Sequence, residues 1–274
     1  MLTVNTNMSA MIALQNLNKT NAALGEVQTR INTGLAVTGA KDDGAIYAIA
    51  QNQRGDVAAL GAVSQSIDRA VSTVDVALAA GEAISDLLIE MKEKAVAAAD
   101  ASLDTASRDA LNEDFIALRD QITTIVENAE FNGINLVDGS TSTIDVLANA
   151  DATSSISVVA QNLSLSSGIV TLASTAAIDT QAKASTAIAT VETSLQNLNE
   201  ALAKLGTTAK KLEVHNSFIS KLSDSLTAGI GNLVDADLAV ESARLQALQV
   251  KQQLGIQALG IANQQPQIVL SLFG

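Results

Sequence analysis

Residues 188–230 read IATVETSLQNLNEALAKLGTTAKKLEVHNSFISKLSDSLTAGI, and this stretch decides the fold class. Its apolar side chains recur at steps of three and four residues, which places them on one face of a helix over several heptads. The row consists of Ile188, Val191, Leu195, Leu198, Leu202, Leu205, Ala209, Leu212, Ile219, Leu226 and Ile230. We therefore expect a long helix packed along other helices and interrupted near Gly229 and Gly231.

The same spacing predicts two helices in the first part of the chain. The first extends over about residues 5–32 and stops at Gly34. A glycine-containing turn follows over residues 39–44, and the second helix then continues to about Ala99. These two helices carry the apolar rows expected of long helices that pack side by side.

Two further helices are predicted on either side of a different kind of segment. Asp104 suits the N-cap of the third helix, which ends at the turn that begins with Phe131. The last helix begins at about Leu233. Pro266 is expected to end it, because proline has no amide hydrogen to continue a helix.

Between about residues 134 and 175 the helical period is lost. Short β-branched pieces at residues 143–146, Ser155–Val159 and residues 168–172 lie among serine, threonine, aspartate and glycine, a pattern that favours hairpins. The predicted fold class is mainly α: a long antiparallel helical rod or coiled coil with a small β-hairpin insert.

Composition argues against most enzyme classes. The 274 residues include one proline, one tyrosine, four phenylalanines and no tryptophan or cysteine, so a bulky globular core is not expected. A thiolate metal site is excluded, and the lone His215 excludes every motif that needs two histidines. Acidic residues on such a rod are better explained as a solvated face than as paired catalytic carboxylates. We expect no enzyme activity, no cofactor and no metal.

The charge and hydropathy patterns exclude further partners. A net charge of −13, from 16 basic and 29 acidic residues, would be repelled by phosphate backbones, so nucleic acid is not expected to bind. No apolar run is long enough to span a bilayer, so membrane insertion is not expected. Residues 1–14 contain no lysine or arginine and do not fit a cleaved signal peptide, so export would use another route.

The last predicted helix carries two apolar rows, and one partner helix cannot cover both. Five glutamines between positions 246 and 257 argue against lipid as the second partner, which leaves neighbouring protein subunits. The predicted subunit-interface residues on the first and last helices are Leu14, Leu17, Leu24, Ile31, Leu238, Leu245, Leu248, Val250, Leu254 and Ile261.

Five stretches resemble bacterial flagellins in their order and spacing, and especially the short flagellins of alphaproteobacteria. They are MLTVNTNMSAMIALQNLNKT at 1–20, RINTGLAVTGAKDDGAIYAIAQ at 30–51, NAEFNGINLVDG at 128–139, DADLAVESARLQ at 235–246 and ANQQPQIVLSLFG at 262–274. The resemblance covers about residues 1–138 and 180–274. It departs from the family at Ala36, where flagellins usually carry an arginine.

The resemblance implies a division into three parts. A terminal coiled-coil domain would comprise residues 1–42 and 232–274 and form the filament core. A helical rod domain would comprise residues 43–138 and 176–231, and residues 139–175 would be its variable β insert. Within the family's AKDD motif, either Asp42 or Asp43 is expected to cap the long second helix.

The implied function is that of a secreted structural subunit of the extracellular flagellar filament, self-assembling into a helical tube for swimming. The implied partners are other copies of the chain, alone or with other flagellins, the hook-associated junction and cap proteins, the flagellar export apparatus and an export chaperone. Two rivals remain. The first is a flagellin-like hook-filament junction protein, which would share the terminal helices. The second is an enzyme embedded in the variable region, but the short insert contains no HExxH motif.

The resemblance also places an innate-receptor patch on the second helix, at Ile89, Glu90 and Glu93. Flagellins that the receptor recognises usually carry an arginine where this chain has Glu90. Because this change replaces a hydrogen-bond donor by an acceptor, poor receptor activation is expected.

Overall fold

A computed structural model of the chain describes the backbone of residues 6–270 and the side chains of residues 6–264. Within these residues the chain forms five helices: α1 Met8–Thr33, α2 Gly44–Ala98, α3 Thr105–Asn128, α4 Gln181–Val234 and α5 Leu238–Leu270. The same residues form four strands: β1 Glu130–Phe131, β2 Ile134–Asn135, β3 Thr143–Leu147 and β4 Ser155–Val159. The predicted mainly α fold with a small hairpin insert is confirmed. The chain forms two compact units, one from the described residues up to Gly55 and from Ser225 onward, the other from Asp56–Asp224.

Side-chain and glycine caps define both ends of α1. The side-chain oxygen of Asn7 accepts a hydrogen bond from the amide of Ala10 at 3.0 Å, which satisfies a free donor of the first turn. At the other end Gly34 adopts a left-handed conformation, with φ of 71°, and its amide donates to the carbonyl of Arg30. The predicted stop at Gly34 is confirmed.

The two neighbouring aspartates after α1 have different roles. Asp43 Oδ1 accepts from the amides of Ala45 and Ile46, each at 3.0 Å, so Asp43 is the residue that caps α2. Asp42 Oδ2 instead accepts from the amide of Thr38 at 2.9 Å and from its hydroxyl at 2.5 Å. These bonds to Thr38 hold the pKa of the Asp42 carboxyl below its usual range.

The predicted interruption of α4 is wrong, because the helix continues through both glycines to Val234. A helical glycine costs only about 1 kcal/mol relative to alanine. Ile230 and Val234 are buried on this last part of α4, and their packing opposes that cost. The break comes at Val234, whose carbonyl accepts the amide of Ala36 at 2.7 Å.

The last helix begins at Leu238, five residues later than the predicted start at Leu233. The missed signal is Asp237, whose Oδ1 accepts from the amides of Ala239 at 2.9 Å and Val240 at 3.1 Å. A side-chain cap of this kind fixes the first turn of a helix.

The prediction that Pro266 ends the last helix is also wrong, since α5 continues to Leu270. Proline cannot donate to the carbonyl four residues earlier, which is that of Ala262. The side-chain amide of Asn7 donates to this carbonyl at 2.7 Å, so an acceptor that proline leaves free is satisfied from α1. This contact lies within the unit formed by the chain ends.

In the second unit, α2 and α4 run antiparallel. The hydroxyl of Ser64 donates to Asn216 Oδ1 at 2.7 Å, and Lys92 Nζ lies 3.4 Å from Glu192 Oε2. Between them the helices approach closely at Gly81, where an added Cβ would lie 2.5 Å from Leu202 Cδ2. The largest fully buried side chains of this unit are Ile67, Ile84, Leu88, Met91, Phe115, Ile122, Leu136, Leu163, Leu172, Ile178, Leu198 and Leu205.

The insert contains fewer strands than its sequence suggests. Strands β3 and β4 form the predicted hairpin, with Thr143 opposite Val159 and Leu147 opposite Ser155. The prediction of a strand at residues 168–172 is wrong. This segment forms no strand, and the Thr171 amide donates instead to Ser194 Oγ at 3.0 Å. A second, unpredicted hairpin joins β1 and β2.

Candidate subunit interface

The unit formed by the chain ends contains an antiparallel pair of helices, α1 and α5. The two helices approach closely at Gly255, where an added Cβ would lie 3.3 Å from Leu17 Cδ1. Buried and half-buried positions follow the three-four spacing of a coiled coil on both helices. We call this contact the seam; on α1 it comprises Asn7, Ala10, Ala13, Leu17, Thr20, Leu24, Val27 and Ile31, and on α5 Glu241, Leu245, Leu248, Gln252, Gly255, Leu259 and Ala262.

Polar side chains contribute several contacts along the seam. Gln252 Nε2 donates to Asn21 Oδ1 at 2.8 Å. Glu241 is buried, and its Oε1 lies 3.4 Å from Arg30 Nη1 and 3.0 Å from Arg244 Nη1. No sequence motif identified these contacts in advance, although each one places a polar group where a heptad pattern would put an apolar one.

The structure divides the ten predicted interface residues into two groups. Half-buried in the seam are Leu17, Leu24, Ile31, Leu245 and Leu248. Exposed in the single chain are Leu14, Leu238, Val250, Leu254 and Ile261. The second group is available to another protein without disturbing the pairing of α1 with α5.

The exposed group belongs to a larger set of exposed apolar side chains on these two helices, which we call the outer face: Met8, Met11, Ile12 and Leu14 on α1, and Leu238, Val240, Val250, Leu254, Ile256 and Ile261 on α5. The exposed fractions of Val250, Leu254 and Ile261 are 56%, 58% and 66%. The predicted interface set lacks Val240 and Ile256 on α5, and it also lacks Met8, Met11 and Ile12 on α1. The sequence feature that points to the three α1 residues is the N-terminal segment itself, whose apolar positions cover more of the helix surface than one seam can bury.

The three positions of the predicted innate-receptor patch lie on an exposed side of α2 in the second unit. Ile89, Glu90 and Glu93 are exposed, while Met91 between them is buried. The neighbouring lysines are engaged: Lys94 Nζ lies 2.7 Å from Asp114 Oδ2, which raises the pKa of Lys94. The patch therefore presents one apolar and two acidic side chains to solvent.

The described part of the chain offers little support for a metal site or a membrane-spanning helix. Among these residues, no group of three histidine, cysteine, aspartate or glutamate side chains is placed to hold a metal ion. Nor does any helix there have an apolar stretch sufficient to cross a membrane. His215 Nε2 lies 2.8 Å from the carbonyl of Ala148, and its ring lies 5.9 Å from that of Phe218, centroid to centroid.

Two family models match the sequence on either side of the insert. The bacterial flagellin N-terminal helical region matches residues 4–142, and the bacterial flagellin C-terminal helical region matches residues 188–273. The first match includes α1, α2, α3 and the start of the insert. The second includes most of α4 and all of α5.

Full-length relatives and solved structures agree with these matches. Flagellin FljM of Caulobacter vibrioides is 55% identical over 270 residues, with 98% of each chain covered. A flagellin of Brucella melitensis is 38% identical over 283 residues, with 100% of this chain and 99% of the relative covered. Bacillus cereus flagellin has a TM-score of 0.50 at 23% identity, covering 56% of this chain and 88% of that one. A putative flagellar hook-associated protein from Vibrio parahaemolyticus has a TM-score of 0.59 at 13% identity, covering 71% and 100%.

Proposed function

The chain belongs to the bacterial flagellins and is a structural subunit of the flagellar filament, and we propose that its copies polymerise through the outer face of α1 and α5. The observation that carries this proposal is the exposure of Val250, Leu254 and Ile261 in a single chain whose seam is already occupied. Large exposed apolar patches mark protein-binding surfaces.

Burial of this face supplies a driving force for assembly. Complete burial of one leucine, isoleucine or valine side chain contributes about 1.5–3 kcal/mol relative to its exposed state. The outer face offers several such side chains on each copy. A contact between different surfaces of successive copies does not close on itself, and it produces an open helical polymer.

In this polymer, residues 1–42 and 232–274 form the core of the tube. Residues 43–138 and 176–231 form the outer rod layer, with residues 139–175 as its variable insert. The exposed apolar side chains concentrated on α1 and α5 support placement of the chain ends in the core, where neighbours surround them.

The remaining partners are proposed from the family. The chain is exported by the flagellar export apparatus with a dedicated chaperone, and it meets hook-associated junction and cap proteins at the two ends of the filament. A hook-filament junction protein would instead form a short ring. The relatives at 55% identity over 98% of their length are flagellins, whereas the likeness to a hook-associated protein at 13% identity concerns the fold alone.

Substitution of Leu254 tests the outer face. Leu254→Asp places a charge in an apolar contact without a counter-ion, and we expect it to abolish filaments while helicity is retained. Leu254→Met keeps an apolar side chain of similar volume, and Gln253→Asp adds the same charge at the neighbouring exposed position. Both controls are expected to polymerise.

The measurement is electron microscopy of seeded, purified chains, with circular dichroism of each monomer. Long tubes from the unmodified chain support a filament subunit, while short rings alone would support the junction protein. Normal tubes from Leu254→Asp would contradict burial of position 254 in the polymer. Equal loss in both aspartate variants would assign the effect to charge anywhere on α5.

We also propose that the chain activates the innate flagellin receptor poorly. Glu90 is exposed, so an acceptor stands where recognised flagellins present a donor. Loss of one contact at a binding hot spot commonly costs about 2 kcal/mol or more. A reporter-cell assay compares the unmodified monomer with Ile89→Gln/Glu90→Arg, and strong, equal activation by both would refute the proposal.

A further inference from the structure

The apolar part of the seam does not define a single alignment of α1 with α5. Among described apolar residues of these two helices, only Val27 and Ala262 are buried, with exposed fractions of 6% and 8%. On α1, a shift of seven residues that brings Leu17 opposite Leu248 would replace Leu24 by Leu17 and Ile31 by Leu24, so this part of the partner helix would meet nearly the same surface. A repeated heptad pattern of this kind permits slipped alignments.

Three polar contacts do distinguish the alignments. Asn7 donates to the carbonyl of Ala262 at 2.7 Å, and Gln252 donates to Asn21 at 2.8 Å. Arg30 lies 3.4 Å from Glu241. The three contacts are distributed along α1 and meet α5 in the reverse order, as one antiparallel alignment requires.

The contact of Asn7 depends on the position of Pro266. Carbonyls inside a helix normally accept the amide four residues later, but the carbonyl of Ala262 has no such amide to accept. A shift by seven residues would present Asn7 with a carbonyl that its own helix already uses. Asn7 therefore has a favoured partner on α5 in one alignment only.

The contact of Glu241 penalises the wrong alignment. Glu241 is only 5% exposed, and its Oε1 accepts from Arg30 and Arg244. The described basic residues of α1 are Lys19 and Arg30, so a shift by seven residues would place Ala23 opposite the buried carboxylate. The shift would remove the contact with Arg30 and leave Arg244, on the same helix, as the cationic partner of this carboxylate. Loss of one of two cationic partners from a buried carboxylate is unfavourable.

We infer that Asn7, Gln252 and the Arg30–Glu241 pair are positioning residues that select one alignment of the two terminal helices. A buried polar residue in a coiled-coil seam specifies alignment at some cost in stability. The alignment sets the relative positions of the α1 and α5 parts of the outer face. The inference concerns contacts within one chain, and it holds whether or not the outer face is the polymer contact.

Introduced cysteine pairs can read the alignment, because the chain has no cysteine of its own. Leu17→Cys/Gly255→Cys reports the observed alignment, since the Cβ of Leu17 lies 3.9 Å from a Cβ built at Gly255, within the range for a disulfide. Leu17→Cys/Leu248→Cys reports a shift of seven residues. In the observed alignment, Leu248 lies about 10 Å along α5 from the position that faces Leu17.

Each pair is placed in the parent chain and in the triple variant Asn7→Asp/Glu241→Leu/Gln252→Leu. Asn7→Asp keeps an N-cap acceptor for α1 but removes the donor to Ala262, so it separates capping from alignment. The matched control is Asn18→Ala/Gln253→Leu, which alters exposed polar residues beside the seam. Disulfide yields are measured on monomers under equilibrium exchange, together with helicity.

In the parent and the control, the Gly255 pair is expected to cross-link and the Leu248 pair to remain largely reduced. In the triple variant, the ratio of shifted to observed disulfide is expected to rise at least about tenfold, with helicity retained. An unchanged ratio would show that apolar packing sets the alignment and would overturn the inference. Failure of the parent to cross-link, or loss of both disulfides in a helical triple variant, would overturn it as well.

Discussion

The two units of the chain bury their apolar side chains to different degrees. Within Asp56–Asp224, large side chains such as Ile84, Phe115 and Leu198 are fully buried by the single chain. In the unit formed by the chain ends, the described apolar residues that are buried are Val27, Ala50, Ile230, Val234 and Ala262. Helix formation and core formation are therefore separate here, because both units are built on long helices but only one completes a core.

The largest predicted difference is between truncations at a core position and at an outer-face position. Phe115→Ala should lower the free energy of unfolding of the monomer by about 3–5 kcal/mol through loss of burial and creation of a cavity. Leu254→Ala should change it by less than about 0.5 kcal/mol, because the side chain is exposed. Denaturant unfolding of both monomers measures the difference.

The same Leu254→Ala variant should raise the concentration needed for polymerisation, which light scattering can follow. The comparison would break if Leu254→Ala destabilised the monomer as much as Phe115→Ala. It would also break if Leu254→Ala left the polymerisation threshold unchanged.

Two helical glycines give a smaller prediction, of opposite sign in the two units. Gly81→Ala should cost about 1–3 kcal/mol, because the new methyl group would meet Leu202 Cδ2 at 2.5 Å. Gly25→Ala on α1 should stabilise the monomer by about 0.5–1 kcal/mol, because nothing lies within 4 Å of the added Cβ and alanine favours the helix. Thermal unfolding followed by circular dichroism compares the two, and a destabilising Gly25→Ala would indicate that α1 is already packed on that side in the monomer.

The smallest effect concerns pH at the loop before α2. The hydrogen bonds from Thr38 lower the folded-state pKa of Asp42, so they stabilise the loop above the unfolded pKa of about 4. This contribution is lost as the pH falls through the lowered folded-state value. Carboxyl NMR titration should find the pKa of Asp42 raised toward its ordinary value in Thr38→Val, and an unchanged pKa would contradict the assigned cause.

Periodicity predicted the helices well where caps and packing agree with it. Gly34 ends α1 and Asp104 precedes α3 as predicted. The errors arose where a tertiary contact outweighed a rule based on local sequence. The carbonyl that Pro266 leaves free is satisfied by Asn7, and no single-helix pattern contains that pairing.

The sequence presented the candidate interface residues as one set, and only the structure divides them into seam and outer face. Leu248 and Leu254 are both leucines of one helix with the same apparent role in the sequence. Only the pairing with α1 assigns Leu248 to the seam and Leu254 to the outer face. The Arg30–Glu241 contact was missed for the same reason, because it joins residues 211 positions apart.

Hydrogen exchange of the monomer and of the assembled filament tests whether other copies of the chain complete the packing of the chain ends. If the chain ends are completed by other copies, amides of α1 and α5 should exchange faster in the monomer than those around Leu195 to Leu212 in α4. On assembly their protection should rise, whereas that of residues 195–212 should change little. Equal protection of α1, α5 and residues 195–212 in the monomer would contradict the account.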